Sequence, residues 1–448
     1  MIDDDLGLPL PEGARVLHIG PMKTGTTSLQ RSASLRRQEL LEHGVLYPGK
    51  TGNHRRAIGA LMGARVIREK RRDSVGSDAR KNGPDPAVPD VGEWYSLLSQ
   101  IASTEWKRVL VSHEIAAEAD EVTARRLVDE LGEATHVVVT LRNLTSVLPS
   151  MWTQRLKAAN TDEFDTWLER AIGEAPERPL PTGIQRQLDH AGLVERWVSV
   201  LGRENVTVVI VDSGNPDFVG SAFEKLLDIP SGFLSAKNLD GLRSNRSLRS
   251  AEAEILRRIN CVSVENSISW DKYLKLVQRG VVRRWLTMRE PGQDEPRVRL
   301  PHWALSRSQE LGIEYSERIR CTGVRIIGDL NTLHSVDLSV ASDNQVDDHV
   351  PTDVVTEGLS GLLSAALSRG AFFEKQRLNS NDERQASGDG NVRSSHSKGI
   401  MNATQLASTY STRSIISALR MRIAVKLGMI RSNALNLLKS LAASVRRG

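Results

Sequence analysis

The stretch that most constrains this chain is Val16-Leu17-His18-Ile19-Gly20-Pro21-Met22-Lys23-Thr24-Gly25-Thr26-Thr27-Ser28-Leu29-Gln30. Its short apolar run (Val16, Leu17, Ile19) predicts a buried strand that stops at the Gly20-Pro21 turn signal. From Thr26 onward Leu29, Leu35 and Leu40 recur at roughly helical spacing. Strand, glycine-containing loop and helix N-terminus together make an anion site: loop and first-turn N–H groups have no internal partner, and the helix dipole favours negative charge. Gly25 lets the backbone approach a phosphate, Thr26 and Thr27 add hydroxyls, and Lys23 adds a full positive charge.

The same alternation repeats downstream. Val45-Leu46-Tyr47, Arg108-Val109-Leu110-Val111-Ser112, His136-Val137-Val138-Val139-Thr140-Leu141 and Val206-Thr207-Val208-Val209-Ile210-Val211-Asp212 read as further strands separated by helical patterns. Near-continuous apolar strands alternating with helices predict an α/β fold, a parallel sheet with helices on both faces. In such sheets ligands bind at the carboxyl ends of the strands. Lys23, Glu114 and Arg142 each follow such an end. Residues 50–90 are irregular and cation-rich, and read either as a solvated basic loop or as a lid over the donor or an anionic acceptor. Residues 240–340 read as a mostly helical cap packed on the sheet, with a further small element at Gly323–Leu330.

Composition narrows the partners. Aromatic residues make up 4% of the chain and the net formal charge is +5, so stacking platforms for nucleic acid are not expected. Cys261 and Cys321 imply no disulfide framework, and ten histidines without paired spacing imply no metal site. The acidic start Met1-Ile2-Asp3-Asp4-Asp5 is unlike a secretory signal and no uncharged apolar run reaches membrane-spanning length, so the expected location is cytoplasmic. The organisation reads as an N-terminal tail (1–13), a main domain (14–375), a Ser/Asn/Asp/Arg-rich disordered linker (376–411) and a basic amphipathic helix (412–448). That helix can make peripheral contact with the inner face of an anionic membrane, or cover a groove on its own protein or a partner.

Gly20 and Gly25 stand as in the nucleotide triphosphatase loop G-x-x-x-x-G-K-[ST], yet Thr26 follows Gly25 and the loop's lysine is Lys23, two residues before it. P-K-x-G-T-T-x-L instead resembles the 5′-phosphosulfate loop of sulfotransferases that use 3′-phosphoadenosine-5′-phosphosulfate (PAPS), with Met22 inserted between Pro21 and Lys23. Arg142-Asn143-Leu144-Thr145-Ser146-Val147-Leu148-Pro149-Ser150 resembles the same family's 3′-phosphate motif, a strand-end arginine followed eight residues later by a helical serine. The resemblance covers residues 14–230 well, 240–335 loosely and the tail not at all.

This resemblance implies a P-loop nucleotide-binding fold, PAPS as donor and no required metal. It implies that Lys23, Thr24, Gly25, Thr26, Thr27 and Ser28 cradle the phosphosulfate while Arg142 and Ser150 hold the 3′-phosphate. Lys23 would also stabilise charge on the bridging oxygen. The family's base, histidine or glutamate, follows the strand that ends here at Ser112, where both His113 and Glu114 stand. Neighbours on an extended segment face opposite ways, so one is expected to enter the cleft. Members with a Ser-x-Glu pattern favour Glu114, with His113 the alternative.

Two departures qualify the resemblance. Cytosolic members carry tryptophan where this chain has Ser28, and an R-K-G-x-x-G-x-W element is missing; Arg246, in Arg243-Ser244-Asn245-Arg246-Ser247-Leu248, is the nearest substitute. These point to a bacterial, carbohydrate-type branch whose acceptor is a hydroxyl of a glycan, glycolipid or glycosylated metabolite. The alternatives are a P-loop kinase or NTPase, with Asp212 after an apolar strand as its magnesium ligand, and a non-catalytic nucleotide-binding, membrane-associated protein.

Overall fold

The computed structural model describes residues 8–63, 66–67, 86–174, 176–212, 214–235, 246–336 and 350–367, all within the unit Met1–Ser368. The linker expected over 376–411, the helix expected over 412–448, residues 1–7 of the tail, most of the basic stretch 64–85 and residues 240–245 lie outside the described residues.

The strands are β1 (Arg15–Ile19), β2 (Val45–Leu46), β3 (Val66–Ile67), β4 (Pro86–Ala87), β5 (Arg108–Ser112), β6 (Thr135–Leu141), β7 (Val206–Ile210) and β8 (Arg325–Ile327). Six of them form one parallel sheet in the order β2-β5-β1-β6-β7-β8, and β3 and β4 pair as a separate antiparallel ribbon. The fold is α/β. Alternate strand residues enter two different cores: Leu17, Val109, Val137 and Val208 one, Val16, Leu110, Val138 and Val209 the other. With both faces buried, no polar alternation survives in the sequence. Each such side chain contributes about 1.5–3 kcal/mol, which leaves room for a few buried polar groups where function needs them.

Strand order matters most for the site. β1 lies between β5 and β6, with His18 beside Ser112 and Ile19 beside Val139. The segments after Ile19, Ser112 and Leu141 therefore leave the sheet side by side at its carboxyl edge.

Two boundaries differ from the sequence reading. The small element near 323–330 is an integral sixth strand, Arg325–Ile327, paired to β7, and not part of a cap. From Leu10 onward the N-terminal segment is no tail: Leu10 is buried, its N–H donates to Leu226 O at 3.0 Å, and Arg108 Nε donates to its carbonyl at 2.7 Å. Between β7 and β8 the chain is helical over Ser250–Glu265, Trp270–Met288 and His302–Thr322.

Candidate functional site

Gly20 ends β1 against β6. A Cβ there would lie 2.3 Å from Thr140 Oγ1 and 2.6 Å from Thr140 O, so any side chain would push the loop off the strand. Thr24 turns inward: its hydroxyl donates to Pro21 O at 2.9 Å and meets Thr140 Oγ1 at 2.8 Å. It fastens the loop, so its contribution to a ligand is left to the backbone. Lys23 (φ 75) and Gly25 (φ 83) are both left-handed. For lysine this costs about 1–2 kcal/mol, and it persists because neighbouring groups fix the loop. Arg142 Nη1 donates to Lys23 O at 3.3 Å and Met22 N–H donates to Gln187 Oε1 at 3.1 Å.

The helix Thr26–Leu35 that follows has no side-chain cap at Gly25. Some helices here are capped, with Asp120 accepting from Thr123 N–H and Asn143 from Thr145 N–H, while others, His302–Thr322 among them, are not. The first intrahelical bond here runs from Leu29 N–H to Gly25 O, so the N–H groups of Thr26, Thr27 and Ser28 precede it. Thr26 is buried, Thr27 exposed and Ser28 half-buried.

Cations gather around this terminus. Burial and then Arg142 hold the Lys23 ammonium below its usual range, with Glu114 opposing them. Burial also disfavours the charge on Arg142. Lys157, at the end of the helix Leu144–Lys157, is pushed down to about 8 by burial, then by Lys23 and Arg246. Ser150 lies half-buried two turns earlier on the same helix. Lys157 escapes a sequence reading because a cation in a helix's last turn is ordinary, favoured there by the dipole.

Arg246 does not fill the role expected of it. Its Nη atoms donate to Glu252 Oε1 and Oε2, both at 2.7 Å, to Trp285 O at 2.7 Å and to Ser247 O at 3.2 Å. The fork is used inside the protein, so Arg246 reaches the site only as a nearby charge.

At the end of β5 both candidate bases meet. His113 is extended, but a 3₁₀ helix, Glu114–Glu118, starts at the next residue and brings Glu114 Oε1 to 3.5 Å from His113 Nε2. The expectation that only one side chain enters the cleft assumed a strand that continues. His113 Nδ1 accepts from Ile115 N–H at 3.0 Å, which places the ring's hydrogen on Nε2, facing Glu114. Burial first, and then Arg55, pushes His113 down to about 4, against the pull of Glu114. Neutral and with its Nδ1 lone pair occupied, His113 flanks Glu114. The Glu114 side chain is 25% exposed, and its Oε2 accepts from Gln30 Nε2 at 3.3 Å.

A buried polar layer underlies the loop. His18 Nδ1 lies 2.8 Å from Ser112 Oγ and Nε2 3.2 Å from Thr140 Oγ1, while Gln30 Nε2 donates to Ser112 Oγ at 3.2 Å. Burial drives His18 down to about 3, so it is neutral. His54 Nδ1 accepts from Ser112 N–H at 2.9 Å and Nε2 donates to Pro48 O at 2.8 Å, closing the end of β5.

Asp212 is exposed beyond β7, with Oδ1 accepting from Gly214 N–H at 2.8 Å. Among the described residues no three His, Cys, Asp or Glu converge as metal ligands, and no helix is long and apolar enough to cross a membrane.

No family model and no curated protein matches this chain. Among solved structures, a sulfotransferase from Alicyclobacillus acidocaldarius is similar at 17% identity, over 56% of this chain and 94% of that one, with a TM-score of 0.32. A likeness of that size carries no residue or reaction across.

Proposed function

We propose that this chain transfers a sulfuryl group from PAPS to a hydroxyl of a carbohydrate-containing acceptor. One observation carries the reading: Lys23, Arg142 and Lys157, all held below their usual ranges, gather beside an uncapped helix N-terminus with the carboxylate Glu114 within electrostatic reach of Lys23. Like charges half-buried together favour an anionic ligand. The two motifs at 21–29 and 142–150, whose resemblance points to PAPS, are joined by the hydrogen bond from Arg142 Nη1 to the backbone carbonyl of Lys23.

The donor supplies an electrophilic, anionic sulfuryl group on a bridging oxygen. Lys23 and the N–H groups of Thr26, Thr27 and Ser28 would hold its 5′ end, Arg142 and Ser150 its 3′-phosphate. Lys23 also offsets charge at the bridging oxygen, and preorganised donors of this kind are worth about 10²–10³-fold in rate. Glu114, oriented by Gln30 and flanked by His113, takes the acceptor's proton, a contribution of about 10²–10⁴-fold.

Labelled PAPS incubated with the purified protein and a panel of glycans and glycolipids, with and without EDTA, tests this. Label should move to acceptor equally in both. Magnesium-dependent phosphate release from a nucleotide triphosphate would favour the kinase or NTPase reading and Asp212. Nucleotide binding without transfer across the panel would favour the non-catalytic one.

A further inference from the structure

One contact of the loop is made neither by the sheet nor by the helix it feeds. Met22, which has no counterpart in the resembled loop, donates its N–H to Gln187 Oε1 at 3.1 Å. The other end of that amide, Gln187 Nε2, donates to Glu118 Oε1 at 2.7 Å. The two bonds fix each other's sense, since an N–H requires the amide oxygen and a carboxylate requires the amide nitrogen. Gln187 is 1% exposed, so water does not compete for either bond. Glu118 closes the same 3₁₀ helix that Glu114 opens. Space for its second oxygen depends on Gly183, where a Cβ would lie 2.6 Å from Oε2. Arg186 Nη1 holds the Glu118 carbonyl at 3.0 Å.

We propose that Gln187 is a positioning residue for the donor loop, tying Met22, and through it Lys23, to the short helix that presents Glu114. The proposal rests on the reading of this loop as the PAPS site. A lysine does not hold φ 75 unaided. Gln187 constrains the residue before it and Arg142 the carbonyl after it. The ammonium and the carboxylate then keep their spacing because one amide spans from loop to helix. Burial raises the Glu118 carboxyl and the Gln187 bond draws it back, which is consistent with that bond being made to a largely enclosed acceptor.

The test uses Gln187→Leu, Glu118→Gln and Glu118→Leu in the full chain, with three readouts. These are amide hydrogen exchange over residues 20–25 without ligand, binding of 3′,5′-adenosine bisphosphate, and the thermal midpoint. Gln187→Leu should speed exchange in the loop and weaken nucleotide binding about tenfold, the effect of one lost hydrogen bond that leaves a buried donor unpaired. Glu118→Gln should stay near wild type, because its amide oxygen still accepts from Gln187, and Glu118→Leu should follow Gln187→Leu. Wild-type exchange and binding in Gln187→Leu overturn the proposal. So does a Glu118→Gln variant as weak as Glu118→Leu, since charge and not the strut would then matter. Should Glu118→Leu unfold, the midpoint reveals it and the other two variants decide. A wild-type protein that binds no nucleotide, yet whose loop exchange still rises in Gln187→Leu, defeats the functional reading and supports the strut.

Discussion

Two groups of buried cations lie near each other in this molecule, and their surroundings have opposite effects. Arg289 donates to Glu252 at 2.9 Å, Glu295 at 2.9 Å and Asp353 at 2.8 Å, and Glu252 also takes both Nη atoms of Arg246 and the N–H of Arg249. Burial works against the charge on Arg289, yet its bonds to Glu295, Asp353 and Glu252 overcome that and raise its pKa. At the loop, Lys23, Arg142 and Lys157 are all lowered, with burial the first cause for each. Glu252 is the carboxylate facing Lys157, and its oxygens are already taken by two arginines and a backbone N–H. At Arg289 the carboxylates outweigh burial, whereas at Lys23 and Lys157 the pull of Glu114 and of Glu252 does not.

The largest effects should separate the two groups cleanly. Glu114→Ala should lose about 10²–10⁴-fold in turnover while binding 3′,5′-adenosine bisphosphate as before, read from initial rates and calorimetry. Comparable turnover in that variant would return the base to His113. Arg289→Met should do the reverse, losing about 3–5 kcal/mol of stability in urea because Glu295, its side chain 10% exposed, loses its partner and Glu252 one of its two arginines. Its folded fraction should bind nucleotide normally. Were Lys23→Met to destabilise as much as Arg289→Met, the contrast between the groups would fail.

A smaller effect concerns the polar layer between them and the sheet. His18 is pushed down to about 3 and His54 and His113 to about 4, with burial the first cause each time. An unfolded histidine titrates near ~6.5, so below that pH the unfolded chain takes up protons that the folded one refuses. Stability is therefore whole above pH 6.5 and falls as the pH drops towards 4. Each histidine contributes a loss of about 2 kcal/mol between pH 6.5 and 5. Urea midpoints at pH 7 and pH 5 measure it; equal midpoints would mean that the layer opens and charges in place.

What the sequence disclosed follows from distance along the chain. β1, β5, β6 and β7 were legible because burial on both faces leaves uninterrupted apolar runs such as Val137-Val138-Val139. Lys23, Glu114 and Arg142 were nameable because each directly follows a strand, and a parallel sheet gathers strand ends. β8 was harder: three residues, one of them Arg325, at an edge that needs less burial. The facing of His113 and Glu114 turned on whether the strand ran one residue further, a boundary that local pattern does not resolve. Gln187, Gln30 and Lys157 were invisible for another reason. Their partners at the site, Met22, Glu114 and Lys23, are 165, 84 and 134 residues away, and nothing local distinguishes them from other polar helix residues.

The smallest expected change tests the comparison most finely. Burial, Lys23 and Arg246 bring Lys157 down to about 8, so its charge is present at pH 7 and fades above pH 8. If that charge serves an anion, the wild type should bind 3′,5′-adenosine bisphosphate progressively less well from pH 7 to 9. Lys157→Arg should hold its affinity across that range, and Lys157→Met should bind about tenfold more weakly at pH 7 with a flatter profile. Stability should move the other way. An unfolded lysine titrates near ~10.4, so a folded value near 8 means that the charged form opposes folding at pH 7, and the opposition lifts as the pH rises through that window. Lys157→Met should accordingly unfold at equal or higher urea. Were it instead to unfold early, as expected of Arg289→Met, Lys157 would belong with the structural arginines, and the site would end at Lys23 and Arg142.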